Sequence, residues 1–152
     1  QNYFRVVAKK SFTIPFLWSK QIAAEKREVP MNEMKFEVYP EGIYKVIKQF
    51  EKYDIDNIII TENGVCYKDI IENGRIHDKE RIAFFNAYME QVLKAKNEGA
   101  PVTGYFVWSL TDNFEWSEGD DPRFGLIHVD FNTQKRTFKD SGYWFKEFLS
   151  KK

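Results

Sequence analysis

The 152 residues hold a single cysteine, Cys66, so no disulfide can form within the chain and its fold does not depend on one. Long apolar runs are missing too, and no stretch approaches the roughly 18 consecutive apolar residues of a membrane span. Neither sign of charge dominates. The 23 Lys and Arg balance the 23 Asp and Glu, without a long like-charge run, which argues against a nucleic-acid or membrane partner and fits a neutral substrate. The two histidines, His77 and His128, lie far apart and lack a spacing such as His-Glu-x-x-His, so no metal is expected and both read as surface residues. No phosphate-cradling glycine motif occurs and no cofactor is implied. There is no internal repeat. The chain opens on Gln1, without Met, charged n-region or apolar leader, and runs directly into Tyr3-Phe4-Arg5-Val6-Val7. That opening reads as a cut chain and leaves the compartment undecided.

What is present suffices for one packed unit, with 43% hydrophobic and 17% aromatic residues. Residues 1–8 read as a strand, and residues 9–39, which show no sustained period, as a long functional loop. Pro40 opens a helix over about 40–53 with Ile43, Val46, Ile47 and Phe50 on one face. The short β-branched run Asn57-Ile58-Ile59-Ile60-Thr61 has the character of a parallel strand covered on both faces. A polar loop follows. Asp78 is the expected N-cap of a helix through Ile82, Phe85, Met89, Val92 and Leu93, closed by Gly99. The next strand spans 102–110, and an acidic, aromatic loop spans 111–124. A hairpin pairing 126–129 toward 135–137 precedes a last helix with Trp144, Phe145, Phe148 and Leu149 on its apolar face. Alternating strands and helices imply right-handed βαβ units and a parallel sheet. Both an open doubly wound sheet and a (β/α)8 barrel have that order. Three strands cannot close a barrel, so in the second case this is its last part.

The chemistry gathers just after two strands. Thr61-Glu62-Asn63-Gly64 follows one, and Trp108-Ser109-Leu110-Thr111-Asp112-Asn113-Phe114-Glu115-Trp116 ends or follows the next. In parallel α/β folds reacting groups collect on that rim. Glu-Asn-Gly at a strand end is equally a solvated turn. The second segment is harder to explain by packing, because its two tryptophans offer sugar-ring platforms while Ser109, Asp112, Asn113 and Glu115 offer acceptors for hydroxyl groups.

Ile60-Thr61-Glu62-Asn63-Gly64, Trp108 to Trp116, and Arg123-Phe124-Gly125-Leu126 resemble, in order, the signatures of glycoside hydrolase family 1. Tyr39-Pro40-Glu41-Gly42-Ile43-Tyr44, Gly104-Tyr105-Phe106, Lys135-Arg136-Thr137 and Lys139-Asp140-Ser141 extend the resemblance over nearly the whole chain. It implies the C-terminal part of a (β/α)8 TIM barrel, about strands six to eight with their helices, in one unit over 1–152. It also implies retaining hydrolysis of β-linked glucosides or galactosides through a covalent glycosyl-enzyme. By the same resemblance Glu62 is the nucleophile, and Tyr3 the tyrosine that hydrogen-bonds it. Gln1 would be a polar sugar contact on the same strand as Tyr3. Glu115 would accept from two sugar hydroxyls, Trp116 donate from its indole, Trp108 lie under the ring and Phe124 close the far wall. Phe36, and less so Trp18, would border the aglycone side.

Some positions depart from the family pattern. Asp120 stands where a tyrosine is common, and Phe138 where a proline is common. No basic pair follows Glu115-Trp116, so a small unphosphorylated β-glucoside or oligosaccharide is the expected ligand. The family's acid/base glutamate, in an Asn-Glu-Pro motif, has no counterpart, since Asn32-Glu33 is followed by Met34. The parent enzyme is therefore expected to be active and the segment alone inactive. Two other classes fit the same sequence. One is a non-catalytic carbohydrate-binding fragment. The other is an assembly fragment whose strand edges pair with the missing N-terminal half of the barrel or with a second copy.

Overall fold

The computed structural model describes residues 5–12 and 19–151. Its centre is a parallel pair of strands, β3 (Ile58–Asn63) and β6 (Val102–Val107), joined by the 19-residue helix α2 (Lys79–Asn97) in a βαβ unit. The short helix α1 (Glu41–Phe50) leads into β3 and packs on α2. A terminal hairpin of β7 (Ile127–Val129) and β8 (Arg136–Phe138) runs into α3 (Asp140–Ser150), which also lies against α2. The core is where these helices meet one face of the strands. Ile43, Ile47, Ile60, Phe85, Tyr88, Val92 and Val102 are buried together there, and Trp144 and Phe145 pack against them from α3. Phe85 lies 6.4 Å from Trp144 and 6.3 Å from Phe145, ring centre to ring centre.

The helix, strand and hairpin expectations from residue 40 onward hold to within a few residues at each end. Gly99 closes α2 with φ of 101°, where a side chain would be strained, and Ala100 N–H reaches back to Ala95 O at 3.1 Å. Five expectations need correction. Of the predicted first strand, residues 1–4 lie outside the described residues and 5–7 carry no strand. Ala8 instead enters an antiparallel hairpin, β1 (Ala8–Lys10) with β2 (Ser19–Gln21), which Ile22 N–H extends by bonding Val7 O at 2.7 Å. Residues 9–39 are thus not all irregular. The polar loop after Gly64 holds a further hairpin, β4 (Ile71–Glu72) with β5 (Arg75–Ile76). It turns on Asn73 and Gly74, whose φ values of 50° and 77° are those of a type I′ turn. The strand predicted over 102–110 stops at Val107, because the next residues change partners: Ser109 O and Leu110 O accept from Leu126 and Ile127 N–H at 3.0 and 2.9 Å. Finally, β3 is covered on one face only. Ile60 is 6% exposed but Ile59 is 48% exposed, on the face away from the helices.

Asp78 also differs from its expected role. It precedes α2, yet its carboxylate does not cap that helix. Oδ1 accepts from Ser141 N–H at 2.8 Å, and Oδ2 accepts from the Ser141 hydroxyl at 2.5 Å and from Arg81, so the residue ties α2 to the start of α3.

Candidate active site

Because β3 and β6 are parallel neighbours, the segments that leave their C-terminal ends emerge side by side. Glu62 is the penultimate residue of β3 and is exposed. Trp108 follows β6 directly, and its N–H donates to Asn63 O at 2.9 Å. The approach is close enough to dictate Gly64, since a Cβ there would lie 1.6 Å from Trp108 O. The Trp108-Ser109 peptide bond is cis. From Trp108 the indole Nε1 donates to Glu115 Oε1 at 3.1 Å, which joins one expected sugar platform to the expected sugar-binding carboxylate. Trp116 is 85% exposed, so its face and indole N–H are open to solvent. Phe124 is buried, and its carbonyl faces Ser109 N–H at 3.4 Å. Glu62, at the end of β3, and Trp108, Glu115 and Trp116, in the segment after β6, therefore lie on one rim. Gln1, Tyr3 and Trp18 lie outside the described residues, and Phe36 is partly buried in the turn where its carbonyl accepts from Asn32 N–H.

The acceptors expected for sugar hydroxyls separate into two sets. Glu115 stays partly accessible, but Ser109 and Asp112 are buried and already engaged. The Ser109 hydroxyl donates to Thr111 O at 2.8 Å. Asp112 Oδ1 accepts from Gly125 N–H at 2.8 Å and Lys139 Nζ at 3.0 Å, and Oδ2 from Val129 N–H at 3.2 Å. Asp112 shapes the loop that carries Glu115 and is not free for a ligand. Gly125 is required beside it, since a Cβ there would meet Asp112 N at 2.3 Å.

Beneath the rim lies a group of buried charges that sequence reasoning did not assemble. Lys139 is fully buried, with Nζ 2.7 Å from Asp69 Oδ2 and 3.0 Å from Asp112 Oδ1. Burial, aided by the Arg81 guanidinium, draws its pKa below the ordinary lysine value against the opposing pull of the two carboxylates. Arg81, also fully buried, binds Asp78 and the carbonyls of Val65, Tyr67 and Arg123, the last at 2.5 Å. These bonds hold the loops after β3 and β6 to α2. His128, expected at the surface, is instead buried with Nδ1 2.8 Å from Asp69 Oδ2, because β7 folds inward beneath the loop. His77 is exposed, as expected, and pairs with Asp140 at 2.6 Å. Asp69, Asp112 and His128 could bring one ligand atom each to within 4.8 Å of one another. The Lys139 ammonium between the two carboxylates already supplies the positive charge there, so this set does not fit a metal ion.

The comparisons with known proteins agree with the signatures. Residues 6–152 match Glycosyl hydrolase family 1. The chain belongs to that family. β-Glucosidase A of Thermotoga maritima is 48% identical over 131 residues, covering 85% of this chain and 29% of that protein. The 1,4-β-D-glucan glucohydrolase of Thermotoga neapolitana is 47% identical over 131 residues, 85% of this chain and 30% of its own length. A 6-phospho-β-galactosidase of Clostridium acetobutylicum is 45% identical over 127 residues, 82% of this chain and 27% of that protein. The solved family 1 β-glucosidase of T. maritima superposes with a TM-score of 0.86 at 43% identity over 94% of this chain and 32% of its own. The same enzyme in complex with isofagomine lactam gives a TM-score of 0.85 at 41% identity. This family 1 chain thus spans about 30% of the length of its relatives. Those relatives are (β/α)8 barrels, and the βαβ unit around α2 is a part of one.

Proposed function

We propose that this chain contributes the nucleophile and much of the glycone pocket of a retaining β-glucosidase, as strands six to eight of its barrel in a single unit. The supporting observation is the shared rim, where exposed Glu62 stands on β3 and the Trp108–Glu115 pair stands on the strand beside it. The described elements fit β3 as barrel strand seven and β6 as strand eight; of the expected strand six, residues 1–4 lie outside the described residues. Glu62 attacks the anomeric carbon of a β-linked sugar, forming an ester bond as the bond to the aglycone oxygen breaks and its electron pair leaves with that oxygen. A second carboxyl about 5–5.5 Å away must protonate the leaving oxygen and then activate water. Glu115 and Trp116 bind sugar hydroxyls, Trp108 supports the ring and Phe124 backs the pocket; the expected roles of Gln1 and Tyr3 fall on residues outside those described.

No Asn-Glu-Pro stands in the sequence to supply the acid, and the loss of general-acid assistance alone costs about 10²- to 10⁴-fold. On its own the 152-residue chain is therefore inactive, and its partner is the remainder of a family 1 barrel. That partner would cover the open face around Ile59, and also Phe106, which is 60% exposed. The ligand is a β-glucoside or a related galactoside without a 6-phosphate, since Ser117, Glu118, Gly119, Asp120 and Asp121 bring acid rather than base beside Trp116.

The experiment is release of nitrophenol from aryl β-glucosides and 6-phospho-β-galactosides. The chain is assayed alone and completed by the N-terminal two thirds of T. maritima β-glucosidase A, with Glu62→Ala as control. Activity on the unphosphorylated glucoside only in the completed barrel, lost in the variant, supports the reading. Activity of the chain alone refutes the missing-acid argument. Cellobiose binding without turnover in either form marks a carbohydrate-binding fragment.

A further inference from the structure

We propose that Tyr105 and Asn63 are positioning residues that fix the aim of Glu62 by locking a bulge in β3. The inference rests on reading Glu62 as the nucleophile. Ile60 stands opposite Tyr105 and Asn63 opposite Val107, so three steps along β3 match two along β6. One extra residue therefore lies between Ile60 and Asn63, in the pair Thr61-Glu62. Its effect appears in the exposure pattern. A regular strand alternates its faces, yet Thr61 and Glu62 are both exposed while Ile60 and Asn63 on either side are buried. Lower in the ladder Ile58 and Ile59 face Val102 and Gly104, an offset in the opposite sense, so the displacement is local to the strand end that carries Glu62.

A bulged residue has no ladder partner of its own, so its direction depends on how firmly the chain is held on both sides. Tyr105 meets that need. Its backbone stands opposite Ile60, before the bulge, while its hydroxyl donates to Asn63 Oδ1 at 2.6 Å, beyond it. Asn63 is also held through its backbone, because its carbonyl accepts from Trp108 N–H at 2.9 Å. Packing alone does not explain an asparagine here. The side chain is fully buried and its Nδ2 has no hydrogen-bond partner among the described residues, a cost that an apolar residue would avoid. The Tyr105 bond accounts for Oδ1, and a carboxylate whose aim must be held within a fraction of an ångström accounts for the bond.

The test uses the chain completed by the N-terminal two thirds of T. maritima β-glucosidase A and an activated 2-deoxy-2-fluoroglucoside. Glu62 displaces an aryloxide that leaves with its electron pair without acid help. The fluorine slows hydrolysis of the resulting ester, so the label stays on the protein. The maximal labelling rate and the half-saturating concentration are measured separately. Tyr105→Phe, which keeps the ring, should lower the maximal rate about 10- to 10²-fold and change the half-saturating concentration less than about twofold. Asn63→Ala should do the same. The double variant should be no slower than the slower single one, since both remove one bond. A Tyr105→Phe rate equal to wild type, or losses that multiply in the double variant, would overturn the inference while leaving labelled Glu62 as the nucleophile. Absence of label on wild-type Glu62 overturns both.

Discussion

Asp112 offers the sharpest separation between a loop residue that is free for a ligand and one that holds the loop together. Replacing it by alanine removes the acceptor for two backbone N–H groups, those of Gly125 and Val129, and one of two counter-charges to the fully buried Lys139. Hydrogen bonds to a charged acceptor contribute about 1.5–3 kcal/mol each, and removing one member of a buried ion pair costs about 3–5 kcal/mol. These amounts overlap. Asp69, 2.7 Å from Lys139, keeps part of the charge balanced, so the expected loss is about 3–5 kcal/mol in total. With a urea dependence of about 2 kcal/mol per molar, the unfolding midpoint followed by tryptophan fluorescence should fall by roughly 1.5–2.5 M. A cycle with Lys139→Met should show coupling of at least about 1 kcal/mol, since the second change removes the charge that the first leaves exposed to an apolar interior. A loss in Asp112→Ala below about 1 kcal/mol, or additive effects in the cycle, would refute the structural role and return Asp112 to the sugar.

Two further outcomes follow from other contacts. Gly64→Ala should prevent the loop after β3 from closing on Trp108, because the new methyl would lie 1.6 Å from a backbone oxygen that cannot move aside; thermal unfolding should show a large drop, whereas Gly74→Ala, with nothing within 4 Å, should show only turn strain. The Glu37 carboxyl is buried, which opposes its charge, yet backbone and side-chain bonds from Arg5 and a bond from Arg27 hold its pKa below the ordinary 4.5. Stability from a depressed carboxylate is present above that ordinary value and is lost as pH falls through the lower folded-state value. Glu37→Gln should therefore flatten the acid side of a stability profile taken between about pH 3 and 7, and an unchanged acid limb would count against it.

Elements whose character comes from local pattern were legible in the sequence. The β-branched run 57–61, the helix ended by Gly99 and the hairpin before α3 each depend on neighbours within a few residues. The hairpin at Asn73-Gly74 was equally legible, since that dipeptide supports a type I′ turn, but without apolar alternation on either side it passed for a loop. What the pattern could not convey is competition between distant partners. Asp78 looks like a cap because it precedes α2, but Ser141 and Arg81 claim its carboxylate from 63 and 3 residues away. Ser109 and Leu110 look like a continuation of the strand before them, yet the segment 124–127 takes their backbone groups.

The same competition separates which residues reach the rim from which of their side chains stay free there. Motif position identifies which residues reach the rim, and Glu62, Trp108 and Glu115 do adjoin there. It does not say which polar side chains of the loop remain free once the loop is built. Five polar residues, Ser109, Thr111, Asp112, Asn113 and Glu115, stand between Trp108 and Trp116, and each has the chemistry to accept a sugar hydroxyl. Burial and bonding divide three of them: Asp112 satisfies Gly125, Val129 and Lys139, Ser109 bonds Thr111 O, and Glu115 is left partly open with Trp108 as its donor. In this chain Asp112 takes the internal donors of the loop while Glu115 stays partly open, and the buried Asn63 stands beside the exposed Glu62.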